Sequence, residues 1–391
     1  MSGINNMAWG GGVRPPVRPF ARPPEHLPIY RSTVVPPKYD GKCPPIRILA
    51  LADTHLGFDM PARPRIERRR RGYDFFANFE HILEIAVSEQ VDCVVHGGDL
   101  LFRSRVPAEL VQKSFLPIKN VADEGIPVFI VPGNHERSRI PFDMLARHDG
   151  VHIFDRPRTF GLDFGRIRLA VSGFPYCRDG VRSKFRDLVA ATRWREESAD
   201  ARILCVHHCF EGATVGAHNY TFRNGQDVVR VRDVPEQFCA VITGHVHRAQ
   251  VLQQDLRGQA LHTPIIYPGA VERTSFAERE EEKGYFLIQL LYANPADGII
   301  PQWEFRRLST RPMVMKELSV GGLTPDDLEV ALVDLLSGLP NDAVLQIRIH
   351  DTPSAGARVL LTAGYMRDLA PPTMNVEVLL TDERNRSSGR W

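Results

Sequence analysis

Five short polar clusters carry the candidate chemistry of this chain. They are Asp53-Thr54-His55, Gly97-Gly98-Asp99, Gly133-Asn134-His135-Glu136, His207-His208 and Gly244-His245-Val246-His247. Carboxylate, amide and imidazole donors without a thiolate suit Mn(II), Fe(II) or Zn(II) better than Ca(II) or a Cys-rich structural zinc. The candidate ligands Asp53, His55, Asp99, Asn134, His207, His245 and His247 are too many for one ion and suit two that share a carboxylate. Two ions about 3.5–4 Å apart clamp a phosphoryl group and activate a water between them. Glycines beside the ligands, Gly98, Gly133 and Gly244, allow tight turns. Each cluster alone is ambiguous. D-x-H also reads as a capped loop with a surface histidine, and G-N-H-E as a turn before a helix. G-H-x-H is more specific, because residues i and i+2 of an extended segment project to one side. Of His207 and His208, one is a candidate ligand and the other a core or surface histidine.

Each cluster directly follows an apolar run of strand length, at 46–52, 91–95, 128–131, 203–206 and 240–243. A further strand reads at 167–171. Helical patterns separate them: 74–89, with an apolar face of Phe75, Phe76, Phe79, Ile82, Leu83 and Ala86, and 107–123, with Pro107 at its start. Strands alternating with helices predict an α/β layered domain. In such a sheet the carboxyl ends of parallel strands share one rim, where ligands bind. Five strands ending in Asp, Asn or His would gather those groups there. The pattern breaks around 302–312. A strand (313–320), a helix (325–336), a strand (344–350), a turn-rich stretch and a strand (376–380) then suggest a small α+β unit. The expected organisation is an extension over 1–45, a catalytic domain over 46–305, a cap over 306–381 and a polar tail over 382–391.

The chain has 391 residues, enough for two or three domains. Its 49 Lys and Arg against 47 Asp and Glu leave a net charge of +2. That excludes a chain coating nucleic acid with uniform positive charge, but not a local basic groove. No apolar run approaches the ~18 residues of a membrane span, and no signal-peptide core precedes residue 45. The six cysteines form no C-x2-C pair, so reduced, mostly buried thiols and a cytoplasmic location are expected. Residues 1–45 hold ten of the 30 prolines and read as an extended or disordered arm. Arg63, Arg65, Arg68, Arg69, Arg70 and Arg71, with the single acid Glu67, form a run just after the first cluster. It reads as phosphate-backbone contact or as a solvated loop. Tyr176, Arg178, Arg182 and Arg273 would extend the track. The acidic run 278–282 reads as a solvated turn, and Arg193-Trp194-Arg195 as a helix surface.

The ordered set D-x-H, G-D, G-N-H, H, G-H-x-H resembles the calcineurin-like metallophosphoesterase superfamily. The resemblance implies an α/β/β/α sandwich. It also implies one ion held by Asp53, His55 and His247, another by Asn134, His207 and His245, and Asp99 between them. His135 would contact the phosphate and assist the leaving group. A narrower resemblance is to the SbcD-like nucleases of double-strand-break repair. It is carried by Asp53-Thr54-His55-Leu56-Gly57, by the helix opening Asp74-Phe75-Phe76-Ala77-Asn78-Phe79, and by Tyr267-Pro268-Gly269-Ala270-Val271-Glu272-Arg273 with Glu282-Lys283-Gly284-Tyr285. The sequence departs from the pattern in its Pro-rich extension, in Leu101-Phe102-Arg103 where some members have a histidine, and at Ala270, where Ser is common.

The resemblance implies a DNA exonuclease and endonuclease that uses two divalent ions, Mn(II) first, with Fe, Zn or Mg as alternatives. It also implies a homodimer and a coiled-coil SbcC-like ATPase partner. The chain carries no G-x4-G-K-[ST] loop, so any ATP-driven step needs such a partner. Arg68, Arg69, Arg70, Arg71 and Arg273 are the expected DNA contacts. The alternatives are a phosphatase or phosphodiesterase for a nucleotide or phosphoprotein, and a metal-free scaffold of the same fold.

Overall fold

The computed structural model of the chain describes residues 44–60, 69–165, 167–294 and 298–380. The Pro-rich extension up to 43, Arg63, Arg65, Glu67, Arg68 and the tail over 382–391 lie outside them.

Strand β1 (Ile46–Leu51) divides its side chains by the period-2 alternation of a strand. Leu49 and Leu51 pack against helices, whereas Ile46, Ile48 and Ala50 face a second sheet. Parallel neighbours follow: β2 (Cys93–His96), β3 (Val128–Ile130) and β4 (Val151–Ile153). Parallel strands need long crossovers. Helices α1 (Gly72–Ser88) and α2 (Ala108–Asp123) supply two of them, and they bury the expected apolar stripe of α1 together with Val111, Phe115 and Ile118 of α2. Pro107 caps α2 from just outside rather than starting it.

The chain then builds the second sheet from β5 (Arg158–Asp163), β6 (Arg168–Gly173) and β7 (Ala201–Val206). Four two-residue strands follow, at Cys209–Phe210 (β8), Thr214–Val215 (β9), Tyr220–Thr221 (β10) and Val228–Val229 (β11). The strands β12 (Ala240–Thr243), β13 (Gln250–Gln254) and β14 (Ala260–Tyr267) complete it, in the order β13-β14-β12-β7-β6-β5. Helix α3 (Val181–Ala191) covers its outer face with Val181, Phe185 and Val189. Finally β15 (Gly284–Asn294) and β16 (Gly298–Arg307) return to the first sheet beside β1. The expected α/β/β/α sandwich is therefore present.

The expected break at 302–312 starts too early. Trp303 and Phe305 point into the core between the sheets, so β16 runs on to Arg307. Beyond it, β17 (Met313–Ser319), β18 (Val344–His350) and β19 (Asn375–Leu380) form a parallel sheet. Helix α4 (Pro325–Ser337), opened by a Thr324–Asp327 capping box, packs Leu328 and Leu332 on it. The stretch read as turns contains two short helices, α5 (Ala357–Leu360) and α6 (Ala363–Leu369), too short to show a period. Among the described residues no helix is long and apolar enough to cross a membrane. The described cysteines are all free.

One arginine ties this unit to the sandwich. Arg311 donates to the carbonyls of Asp342, Ala343 and Thr373, to Asn375 Oδ1 at 2.8 Å and to Asp74 Oδ2 at 2.9 Å. Its side chain and that of Asp74 are both nearly enclosed. Truncation would strip Asp74 Oδ2 of its arginine, leaving only the Arg69 pair at Oδ1, and would leave several carbonyls unpaired. Arg311→Ala is expected to lower unfolding free energy by about 3–5 kcal/mol in denaturant titration. A loss below about 1 kcal/mol, the scale of a surface pair, would contradict this account.

Candidate metal centre

The first sheet brings three loops to the rim. After β1 the chain pairs with the loop after β2: Asp53 N donates to Gly98 O at 2.8 Å and His55 N to Asp99 O at 3.0 Å. The second sheet brings His207 after β7 and His245 and His247 after β12. The rims meet where Gly244 N donates to Gly97 O at 3.0 Å, and a Cβ on Gly244 would lie 2.6 Å from that oxygen. Asp53, His55, Asp99 and His245 all have left-handed backbones, with φ of 49°, 43°, 53° and 78°. L-residues adopt that region at a cost, and such strain clusters at functional sites.

The seven expected ligands converge. Asp53, His55 and His247 form one group whose donor atoms lie within 4.8 Å of one another, and Asp53, Asp99 and His207 form another. His55 Nε2 faces His247 Nε2 at 2.9 Å. Asn134 Oδ1 lies 3.0 Å from His207 Nε2 and 2.8 Å from His245 Nδ1, while Asp99 Oδ2 is 3.3 Å from His207 Nε2. Asp53 Oδ1 accepts from His245 N at 3.0 Å, leaving Oδ2 buried without a hydrogen-bond partner, as is His55 Nδ1. Unpartnered buried polar atoms are rare, and the donor set around them fits divalent cations.

Burial and mutual pairing set the charges of these groups. Burial alone would raise Asp99, but the imidazoles of His207, His55 and His135 override it and hold the carboxyl far below its usual range. Burial likewise opposes a charge on His207, yet Asp99 lifts it to about 9. Burial, reinforced by His247, pushes His55 well down. Asp53 is raised by burial.

His135 sits at the mouth, its side chain one-third exposed at 34%. Its backbone N donates to Asp99 Oδ1 at 2.9 Å. Nδ1 lies 2.5 Å from Phe102 O; a carbonyl only accepts, so Nδ1 carries the proton. Nε2 is then turned toward Asp99, at 3.8 Å. His208 faces away, stacked 5.0 Å from Tyr176 and accepting from Cys177 N. His207 is the member of that pair that faces the centre.

Several structural residues escaped the sequence reading. The 278–282 run is not a solvated turn. Glu278 is buried against His247 Nδ1 at 3.1 Å, and Glu281 pairs with Arg248 and Lys283; Glu280 pairs with Arg279 at 3.2 Å and stays 80% exposed. The signal was Lys283, whose buried ammonium needs carboxylates nearby. Glu136 accepts from Leu101 N at 2.5 Å and Gly133 N at 2.9 Å, joining two ligand loops. His96 contacts Thr54 Oγ1 at 3.0 Å beneath the centre. Trp194 is buried in a turn rather than on a helix surface.

The arginines divide. Arg69 pairs with Asp74 and Arg70 with Asp59 while staying partly open to solvent. Arg71 donates to Arg273 O and lies over Phe58, and Arg273 donates to Thr310 Oγ1 at 2.8 Å. Both are turned into the junction with the 313–380 unit. A cleft of about 1300 Å³ opens there, lined by Phe58, Arg70, Thr274 and Phe276 on one side and Met366 and Met374 on the other.

A family model described as calcineurin-like phosphoesterase matches residues 46–249. Among curated proteins, the DNA double-strand break repair protein Mre11 of Haloferax volcanii is 29% identical over 279 residues, 71% of this chain and 55% of its own length. Proteins of the same description from Halobacterium salinarum and Sulfolobus acidocaldarius are 25% and 21% identical, covering 70% and 81% of this chain and 63% and 78% of theirs. The chain spans about half the length of the first relatives it matches.

Gly98 has φ of 109°, and a Cβ there would lie 2.2 Å from His207 Nδ1. Gly98→Ala is expected to lose about 1–3 kcal/mol through strain and overpacking and to weaken divalent-ion binding. An unchanged melting temperature with unchanged ion affinity would contradict this geometry.

Proposed function

This chain belongs to the calcineurin-like phosphoesterase family, and we propose that it is a two-metal nuclease acting on DNA ends in double-strand-break repair. The observation that supports this most is the convergence of carboxylate, amide and imidazole donors from both sheets on one buried rim, with a partnerless Asp53 Oδ2 among them. Asp53, His55 and His247 would hold one ion, Asn134, His207 and His245 the other, and Asp99 both. Two divalent ions, Mn(II) first with Fe, Zn or Mg as alternatives, supply Lewis acidity at the phosphoryl oxygens and lower the pKa of a water nucleophile.

The chain's own groups do the rest. Asp99 keeps its negative charge despite burial. Asn134 offers a neutral oxygen between two imidazoles. His135, steered by Phe102 O, offers Nε2 at the mouth to a phosphate oxygen or to the leaving oxygen. Contact with the DNA backbone is assigned to Arg68, Arg69 and Arg70, of which Arg70 lines the junction cleft. Arg71, which also lines the cleft, and Arg273 are turned into the cap root. The capping role of the 313–380 unit is supported by its cleft with the sandwich. Exposed Leu116, Phe142 and Met144 offer an apolar surface for a homodimer. A coiled-coil SbcC-like ATPase would supply any ATP-driven step.

The test is Mn-dependent cleavage of a linear duplex. His135→Ala should retain ion binding and lose about 10²–10⁴-fold in rate, whereas Asp99→Ala should lose both. Intact DNA alongside rapid hydrolysis of a nucleotide monoester would turn the reading to a phosphatase. Replacing Arg69 and Arg70 with Ala should weaken DNA binding and flatten its salt dependence; an unchanged slope would return them to a purely structural role.

A further inference from the structure

Among the imidazoles gathered on the rim, His247 is backed by a carboxylate from outside the ligand set. Its Nδ1 lies 3.1 Å from Glu278 Oε1. Thr274 Oγ1 donates to the same oxygen at 2.5 Å, and Ser275 Oγ reaches it at 3.4 Å. The other oxygen, Oε2, takes Lys283 Nζ at 2.7 Å. Lys283 has a side chain with no exposure at all. It also donates to His247 O at 2.9 Å and to Glu281 Oε2 at 3.2 Å. Glu281 in turn accepts from Arg248 Nε at 3.2 Å. One buried ammonium therefore grips His247 twice, directly at its backbone carbonyl and through Glu278 at its ring.

We infer that Glu278 is a positioning residue for the ion assigned to Asp53, His55 and His247, with Lys283 as its anchor. The inference rests on the two-metal reading above. A carboxylate paired with an ammonium only accepts hydrogen bonds, so its imidazole partner must carry the proton on Nδ1. That leaves the lone pair on Nε2, which faces His55 Nε2 at 2.9 Å. The contact selects the tautomer that can ligate, fixes the ring plane and raises the basicity of the ligating nitrogen. Among the described residues no such carboxylate backs the imidazoles assigned to the other ion. His207 is oriented by the neutral carbonyl of Gly97 at 2.8 Å, and the His245 Nδ1 contact is with Asn134, inside the ligand set. The two ions should therefore depend unequally on Glu278. Thr274 and Ser275 also line the cleft beside the 313–380 unit, so this device borders the space where the substrate is expected.

The test is calorimetric titration of the full chain with Mn(II), comparing wild type with Glu278→Gln and Glu278→Asp. Gln keeps the shape and removes the charge. Asp keeps a charge for Lys283 but withdraws the oxygen from His247, so it separates the positioning role from a role in folding. Wild type is expected to bind two ions. Both variants should bind one of them about 10–100-fold more weakly and the other as wild type does, and the spin-coupled dinuclear Mn signal should give way to a mononuclear one at limiting Mn(II). Should Glu278→Gln fail to fold, Glu278→Asp alone decides. Two ions bound at wild-type affinity in the folded variants would overturn the inference and leave the two-metal reading standing. A wild-type chain that binds no Mn(II) would overturn the two-metal reading and the inference together.

Discussion

The centre depends on two sheet rims approaching to backbone contact. Gly97 ends a strand of the first sheet and Gly244 a strand of the second, and the amide of one reaches the carbonyl of the other at 3.0 Å. A side chain at either position would wedge the rims apart, since a Cβ on Gly97 would already lie 3.0 Å from Gly244 N. Only at that separation can Asp99, from one sheet, lie 3.3 Å from His207, from the other. Much of the fold serves this approach. The alternation in β1 sends Ile46, Ile48 and Ala50 toward the opposing sheet, and β6, β7 and β12 answer with Leu169, Val171, Ile203 and Ile242. The apolar layer so formed presses the two sheets together immediately below the polar rim.

Crowding polar groups in that position is unfavourable without compensation. Burial opposes charge on Asp53, His55, Asp99, His207, His245 and His247, and the left-handed backbones at Asp53, His55, Asp99 and His245 add strain. Compensation comes partly from mutual pairing, with Asp99 kept ionised by His207 and His207 kept charged by Asp99. It is incomplete at Asp53 Oδ2 and His55 Nδ1. A cation held at the rim would supply what Asp53 Oδ2 lacks. The loops are held by a second circle of buried groups, among them Glu136, His96, Glu278 and Lys283, and the strain persists because these residues over-determine the ligand positions.

The convergence of the candidate ligands is legible in the sequence because each follows a strand, and strand ends in parallel sheets converge. The sandwich was legible for the same reason, together with the helical stripes of α1 and α2. What escaped were residues whose role is set by distant partners. Glu278 lies in an acidic run that resembles a solvated turn until Lys283 and His247 fold over it. Arg71 and Arg273 are surface-like by composition, and their partners at Phe58 and Thr310 come from other parts of the chain. The strand β16 gives no clear signal because Trp303 and Phe305 alternate with charged residues on an edge strand. The helices α5 and α6 are too short to generate a period.

The central claim is that the facing rims form one site for two ions. Diffraction from crystals of the protein grown with Mn(II), recorded at the manganese absorption edge, tests it most directly. The account predicts two anomalous peaks about 3.5–4 Å apart, one against Asp53, His55 and His247, the other against Asn134, His207 and His245, with Asp99 between them. A single peak, or peaks away from the Gly97–Gly244 contact, would contradict it.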